Sequence, residues 1–285
     1  MSKIGMVVCG NSGIDYIKHD YNIKVLRSIL FIGDKEYTDF IDITAEDFYS
    51  MLKSDSTLTP TTAQAATGVI LETFEELRDS GFDQILCVTV SNKLSGTYQG
   101  AMMAANMVEG VKVTVYDSLS VAYPEAKMIL TAAKMADDGK NLEEIINALD
   151  YIKNNHALYV SVDTLKYLVK NGRLSGASGF VGSLLKIKPL LVLTKDGRIE
   201  SKEKIRTTSK ATEALIKRFL EDADGLDIEP YIVHSNATDR IDFVKESILA
   251  ARPDLKEIKD YPLTPVVGAH AGPGALALGF ILNKK

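Results

Sequence analysis

The sequence has no tryptophan and little cysteine, with two cysteines among 285 residues. Cys9 and Cys87 each lie in a short apolar run, so we expect two buried thiols in core strands and not a disulfide framework. The four histidines show no spacing with cysteine that is typical of a zinc site. The sequence therefore predicts no metal centre.

Long apolar runs are also missing, since none approaches the roughly 18 residues that a membrane-spanning helix needs. The first apolar run, residues 6–9, is broken at Gly10 and is too short for a signal peptide, so it predicts a first strand. We therefore expect a cytoplasmic protein with no integral membrane segment.

Basic residues are not in excess, and the formal net charge is −5 at pH 7. A general nucleic-acid binder normally carries a basic face, so this charge argues against nucleic acid as a partner. The hydrophobic content of 46% and charged content of 25% are ordinary for a globular protein. The chain is long enough for two domains or one large one.

Nucleotide-binding and esterase motifs are absent as well. The sequence has no Walker loop and no Gly-x-Gly-x-x-Gly. The residues around Ser95, Lys93-Leu94-Ser95-Gly96-Thr97, do not form the Gly-x-Ser-x-Gly motif of α/β hydrolases.

The first half of the chain alternates strands and helices. We predict strands at residues 4–9, 84–90 and 111–116, with a hairpin of residues 23–32 and 35–40. We predict helices at residues 63–78, 97–107, 125–136 and 142–154. This alternation is typical of a parallel sheet that is covered on both faces.

The second half mixes strand pairs with helices. We predict strands at residues 158–162, 190–194, 198–205, 228–234, 255–259 and 275–282, and helices at 163–170, 207–222 and 239–250. The turn at Lys195-Asp196-Gly197 indicates an antiparallel hairpin. We expect an α/β protein with an N-terminal parallel-sheet α/β domain, residues 1–155, and an α+β domain, residues 156–285.

Two hydroxyl-rich turns precede predicted helices. One places Thr61 and Thr62 after Pro60, and the other contains Ser95 and Gly96 after a predicted buried strand. Helix starts present unpaired N–H groups, and ligands of open parallel sheets bind beyond the carboxyl ends of the strands. Gly96 also leaves its N–H open to close approach. The turns therefore predict an anion site, and a simple helix cap is the alternative at each.

A third turn, residues 268–274, contains His270. Either the N–H groups of Gly272 and Gly274 form an anion nest, or the glycines serve a tight turn and His270 is merely exposed. Arg173 follows a predicted helix end. Three roles of its side chain stay open: pairing with Asp163, a bidentate contact to an anion, or a surface ion pair.

Four segments of the chain resemble the DegV family. They are residues 59–64, the run Ser-Asn-Lys-Leu-Ser-Gly-Thr-Tyr-Gln-Gly-Ala at 91–101, residues 163–174 and residues 268–279, in order along nearly the whole chain. The resemblance implies a two-domain α/β protein with a long-chain fatty acid bound between or within the domains and no other cofactor. It also implies a role in phospholipid metabolism, as the non-enzymatic acyl-carrying subunit of a bacterial fatty acid kinase. A separate kinase catalytic subunit would make the acyl phosphate.

Matching positions imply a carboxylate site. The resemblance places the fatty acid carboxylate against Thr62 and Ser95, with Thr61 and Gly96 beside them and His270 close by. An acyl tail also needs a dry apolar tunnel, in which burial contributes about 0.8 kcal/mol per methylene.

The resemblance also implies that Arg173 lies near the carboxylate opening, where a kinase would dock. Two segments depart from the family pattern. Residues 8–12, Val-Cys-Gly-Asn-Ser, lack the acid of the usual Thr-Asp-Ser, and Ala63-Gln64-Ala65 lacks the usual serine and proline.

The tunnel candidates near the third turn are Leu276, Leu278 and Phe280, for which a core strand is the alternative. Transient contact with a membrane surface is compatible with such a carrier. Two other functions stay open: a serine hydrolase that acts on an acyl ester through Ser95, with His270 as base, and a regulatory module that senses a different anion.

Overall fold

A computed structural model describes residues 3–176 and 187–284. In the first half the strands are β1 Ile4–Cys9, β2 Ile23–Leu26, β3 Ile29–Ile32, β4 Lys35–Thr38, β5 Thr61–Ala63, β6 Gln84–Thr89 and β7 Lys112–Asp117. The helices are α1 Ala45–Ser54, α2 Thr67–Asp79, α3 Thr97–Met107, α4 Tyr123–Asp137 and α5 Leu142–Asn154.

Four of these strands form a parallel sheet in the order β2-β1-β6-β7. Alternate residues of β1 point to opposite faces, as the period of a strand requires. Val7 packs with α2 and α3, whereas Met6 and Val8 pack with α4. Cys9 and Cys87 are buried free thiols. The predictions of a doubly covered parallel sheet and of two buried thiols are confirmed.

The predicted strand at residues 23–32 is wrong, because the chain changes sheets within it. β2 joins the parallel sheet, and β3 joins a separate antiparallel sheet of order β4-β3-β5. The Ser28 carbonyl between them accepts the N–H of Asp39 and not a strand partner. The predicted hairpin is therefore confined to β3 and β4.

The predicted helix start at Ala63 is also wrong. Residues 61–63 form β5, with Thr62 opposite Leu30 of β3, and the helix begins only at Thr67. β-branched threonines suit a strand, and the pairing with β3 uses backbone groups that a helix would otherwise need. The hydroxyls of Thr61 and Thr62 are therefore not helix caps.

The second half contains β8 His156–Ser161, β9 Leu190–Leu193, β10 Ile199–Glu203, β11 Ile228–His234, β12 Lys259–Pro262 and β13 Leu276–Leu282. They form one mixed sheet in the order β10-β9-β8-β13-β11-β12. The helices are α6 Lys166–Lys170, α7 Thr208–Asp222, α8 Thr238–Ala251 and α9 Pro265–Ala271. The predicted hairpin is confirmed as β9 and β10. The strand predicted at 255–259 instead begins at Lys259, and the helix predicted at 163–170 begins at Lys166.

The two sheets share one hydrophobic cluster. It contains Val8 and Met128 from the first half and Leu158, Leu191 and Ala277 from the second. α7 and α8 cover the other face of the six-stranded sheet with a separate cluster. The six-stranded sheet begins at His156, and the division into domains at residue 155 stays a prediction. Over residues 3–176 and 187–284, no helix is both long and apolar enough to cross a membrane.

Candidate functional site

A cavity of about 340 Å³ lies where the two sheets face each other. Its volume falls at the lower end of the range that is typical of small-molecule sites, about 300–1,000 Å³. Residues beyond the carboxyl ends of β1, β6 and β7 line one side: Asn11, Val90 and Val121. Residues of the six-stranded sheet line the other, among them Leu158, Val160, Leu191, Ile199 and Ala277. The lining is thus predominantly apolar.

Four polar side chains and the backbone of Gly96, from separate parts of the chain, line this cavity. We call this set the polar end and define it as Thr62, Ser95, Gly96, Arg173 and His270. They come from β5, the loop after β6, the turn after α6, and α9. A hydrogen bond links Thr62 with His270, and another links Arg173 with the loop that contains Ser95.

Thr62 and His270 form the central contact of the polar end. Thr62 Oγ1 and His270 Nε2 share a hydrogen bond of 2.9 Å. Burial and the nearby Arg173 guanidinium lower the pKa of His270 to about 4, so the imidazole is neutral at pH 7. Its Nδ1 is buried and has no hydrogen-bond partner among residues 3–176 and 187–284. A neutral imidazole has one N–H and a hydroxyl has one O–H, so when Nε2–H donates to Thr62 the hydroxyl hydrogen is left for an anion.

Ser95 lies in the loop that precedes α3, and it is not the cap of that helix. The N-cap is Gly96, and the Ser95 Oγ accepts the Thr97 N–H at 3.3 Å and shares a 2.9 Å hydrogen bond with the Thr97 hydroxyl. The Gln64 side chain lies against Gly96, where a Cβ atom would collide with its Oε1. Glycine at this position therefore keeps backbone and Gln64 in close contact at the cavity wall.

Arg173 is directed inward by the turn that ends α6. Gly172 has φ of +68°, and the Arg173 N–H donates to the Leu168 carbonyl at 2.9 Å. The Arg173 Nε donates to the carbonyl of Leu94, the residue before Ser95, at 3.1 Å. Its Nη1 donates to the Asn171 carbonyl. A guanidinium has five N–H donors, so others are left for an anion.

Among the described residues, Arg173 neither pairs with Asp163 nor forms a surface ion pair. Asp163 pairs with Lys188 at 3.4 Å and accepts the hydroxyl of Thr208, so it is not the partner of Arg173. No carboxylate lies within salt-bridge distance of Arg173 among the residues that the structure describes. Its charge is therefore available to a ligand in the cavity.

The third turn agrees with one part of its interpretation, the glycine turn, and differs in the place of His270. Residues 265–271 form helix α9, and His270 lies in its last turn facing the cavity. The N–H groups of Gly272 and Gly274 donate to the carbonyls of Gly268 and Ser235 at 2.7 and 2.8 Å. Since both N–H groups are used inside the protein, the predicted anion nest is wrong. The glycines instead supply the positive φ angles of 78° and 77° that lead from α9 into β13.

Thr61 does not join the polar end. It neighbours Thr62 on β5, and successive side chains of a strand point to opposite faces. Thr61 is exposed and is not among the residues that line the cavity. The predicted turn is thus a strand, and the place of Thr61 beside a carboxylate stays a prediction that the cavity lining does not support.

The tunnel candidates on β13 are wrong for the same physical reason. Leu276, Leu278 and Phe280 share one face of the strand and are buried against α7 and α8. Ala277 lies on the opposite face and lines the cavity, directly across from Val160 of β8. The small side chain of Ala277 leaves room there. The cavity therefore lies on the face of β13 opposite to the three predicted residues.

The structure does not arrange Ser95 and His270 as a nucleophile and its base. The Ser95 hydroxyl bonds to Thr97, and the His270 Nε2 bonds to Thr62. A pKa of about 4 also makes His270 a weak base at pH 7. No group of three or more metal-binding side chains lies together within the described part of the chain.

Three polar lining residues were not predicted as site residues. Asn11 and Ser28 line the cavity from the segments after β1 and β2, and Gln64 follows β5. The altered run at residues 8–12 contains Asn11, and Ala63-Gln64-Ala65 contains Gln64. The two departures from the family pattern therefore marked Asn11 and Gln64 in the sequence, but nothing marked Ser28.

Comparison with known proteins gives the family. The model of the DegV family, which is described as an uncharacterised protein family, matches residues 10–283 of this chain. A DegV domain-containing protein of Halalkalibacterium halodurans is 37% identical over 264 residues, which cover 92% of each chain. The crystal structure of DegV from Bacillus subtilis, described as a fatty acid binding protein, matches with a TM-score of 0.86 and 29% identity over 99% of this chain and 100% of that one.

A more distant structure shares the fold. The Streptococcus pneumoniae Fatty Acid Kinase (Fak) B3 protein, loaded with linoleic acid, matches with a TM-score of 0.84 and 20% identity over 99% of this chain and 100% of that one. The architecture of a parallel-sheet domain and a second, sheet-rich domain is common to these structures. The chain belongs to the DegV family.

Proposed function

We propose that this protein binds a long-chain fatty acid, with the carboxylate at the polar end and the acyl chain in the apolar part of the cavity. The observation that carries the proposal is a grouping of polar side chains: a predominantly apolar cavity is lined by the Thr62 hydroxyl, the His270 imidazole and the Arg173 guanidinium, which lie near one another. An amphiphile with an anionic head matches this distribution. The fatty acid binding described for the Bacillus subtilis relative supports it.

Each group at the polar end has a distinct role in this proposal. Thr62 and Ser95 donate hydroxyl hydrogen bonds to the carboxylate. The Nε2–H of neutral His270 donates to the Thr62 oxygen and so leaves the Thr62 hydroxyl hydrogen for the ligand. Arg173 supplies the opposite charge, which is effective in a site with little water. The acyl chain contributes about 0.8 kcal/mol for each methylene that the cavity removes from water.

The chain acts, in this proposal, as a carrier and not as a catalyst. A separate kinase subunit phosphorylates the carboxylate, with Arg173 near its docking position. The Streptococcus pneumoniae protein with the same fold supports this assignment, because its description places it in a fatty acid kinase. The neutral, weakly basic His270 is suited to binding and leaves phosphoryl transfer to the partner.

Identification of the bound lipid tests the proposal. Protein purified from bacteria should release a long-chain acid on extraction, as mass spectrometry would show. Purified Arg173→Gln should bind that acid at least tenfold more weakly, yet bind the alcohol of the same chain length as the unchanged protein does. A chain that binds neither compound would overturn the proposal, and equal loss of acid and alcohol would overturn the role of Arg173. Acyl phosphate that forms only with a kinase subunit and ATP would support the carrier role.

A further inference from the structure

The turn after α6 contacts all three segments that carry the polar end. The Arg173 Nε donates to the Leu94 carbonyl, next to Ser95. The Asn171 Nδ2 donates to the carbonyls of Pro60 and Ala269 at 3.4 and 3.0 Å. Pro60 comes two residues before Thr62, and Ala269 immediately precedes His270.

One amide group thus bridges the two segments whose side chains meet. The NH₂ group of Asn171 has two hydrogens, and it faces two carbonyls from parts of the chain that lie more than two hundred residues apart in sequence. A shift of either segment would lengthen the 2.9 Å hydrogen bond between Thr62 and His270. Asn171 is itself fixed, since its N–H donates to the Tyr167 carbonyl at 3.0 Å.

We propose that Asn171 is a positioning residue for the polar end: it sets the separation of Thr62 and His270 without touching the ligand. Asn171 is absent from the cavity wall, so it acts through the backbone of its two partners. This inference rests on the proposed function for its effect on fatty acid affinity. Its effect on the Thr62–His270 contact is independent of any ligand.

Asn171→Asp is the most direct test. The carboxylate has the same shape as the amide but cannot donate, and it repels the two carbonyl oxygens. We expect about a tenfold loss of affinity for the acid that the unchanged protein binds. The uncharged variant Asn171→Ala should in addition show a changed His270 pKa, measured by NMR without added lipid, because no new charge acts on the imidazole there. A merely structural role would lower the unfolding temperature without moving either quantity.

Asn171→Ala is the second variant, because it removes the amide without adding a charge and also serves if the aspartate prevents folding. Lys170→Met is the matched control, because Lys170 precedes Asn171 at the end of α6 and, among the described residues, its amino group donates to the Thr59 hydroxyl and not to Pro60 or Ala269. The control should keep both the affinity and the His270 pKa. If both Asn171 variants bind the acid normally with an unchanged His270 pKa, the positioning role is overturned.

The two proposals fail in different ways. A protein that binds no fatty acid but shows an altered His270 pKa in Asn171→Ala would overturn the proposed function and support the positioning role. A protein that binds the acid with the same affinity and the same His270 pKa in every variant would support the proposed function and overturn the positioning role.

Discussion

Thr62 Oγ1 lies 2.9 Å from His270 Nε2, so a residue of β5 and a residue of α9 meet across 208 positions of sequence. In the ligand-free protein each group satisfies the other. A carboxylate that enters the polar end finds both already oriented toward the cavity, which reduces the entropy lost on binding.

Thr62→Val tests this hydroxyl. Valine keeps the branched shape that suits β5 and removes only the hydrogen-bonding atom. We expect about a tenfold weaker affinity for fatty acid, because a hydrogen bond to a charged group contributes about 1.5–3 kcal/mol. Displacement of a fluorescent fatty acid measures it. Thr61→Val is the matched control on the same strand, and its affinity should stay within twofold; an equal loss in both variants would contradict the assignment.

The protonation of His270 should respond to the ligand. Its pKa of about 4 should rise when a carboxylate binds, since an opposite charge favours the imidazolium. Binding should therefore be accompanied by proton uptake at pH values just above 4. NMR titration of His270, assigned with the His270→Gln variant, measures both states. An imidazole that titrates near its ordinary value in the empty protein would contradict this prediction.

The same shift affects stability in a known direction. The folded-state pKa of about 4 lies below the value of about 6.5 in the unfolded chain, so the unfolded chain binds more protons between them. The contribution of His270 is therefore complete above pH 6.5 and lost as the pH falls toward 4. His270→Gln should remove this part of the acid sensitivity, and urea unfolding at several pH values measures the difference. A difference that does not vary with pH would contradict it.

Asp39 should act in the opposite direction. Burial raises the pKa of its carboxyl to about 7, while its Oδ1 accepts the Val266 N–H at the start of α9. The nearby Arg27 is paired with Asp15 by two bonds of 2.6 Å. The folded protein thus binds more protons, so this stability is present below about pH 3.8 and lost as the pH rises through 7.

Asp39→Asn removes that titration. We expect the variant to gain stability relative to the unchanged protein as the pH rises from 4 to 8. The free energy of unfolding in urea, compared between the two proteins at each pH, measures the gain and cancels the titration of other groups. A difference that stays constant over this range would show that Asp39 is charged throughout.

Ala277 tests the position of the acyl chain. Ala277→Leu adds a side chain to the cavity face of β13 and should reduce affinity for long acids more than for short ones. Leu278→Met changes the opposite face of the same strand at nearly constant volume, which usually costs less than about 1.5 kcal/mol. It should leave the chain-length preference unchanged. The ratio of affinities for acids of two lengths is the measurement, and an unchanged ratio in Ala277→Leu would place the chain elsewhere.

Local sequence patterns predicted the regular elements well. The boundaries of α3 and α5 and the β9–β10 hairpin followed from periodicity and turn residues. β5 did not follow, because Pro-Thr-Thr-Ala reads equally well as a helix entry, and only pairing with β3 makes it a strand. Such non-local pairing leaves no mark in a short window of sequence.

The candidate site was predicted in part for a similar reason. The period of a strand predicts that Leu276 and Leu278 share a face, but only the packing of α7 and α8 decides which face that is. Likewise, only the strand conformation of residues 61–63 explains why Thr62 lines the cavity and Thr61 does not. Asn171 carries no motif at all, since its role comes from two backbone carbonyls that folding brings to it.

The cavity lies within a hydrophobic cluster to which both sheets contribute. A ligand that fills it becomes a removable part of the protein interior, and it stabilises the two halves of the chain together. By mass action, a ligand at one hundred times its dissociation constant adds about 2.7 kcal/mol to the free energy of unfolding. The melting temperature of this protein should then rise with the amount of lipid that its host supplies. Protein purified from lipid-starved cells should unfold at a lower temperature than protein from cells with ample lipid.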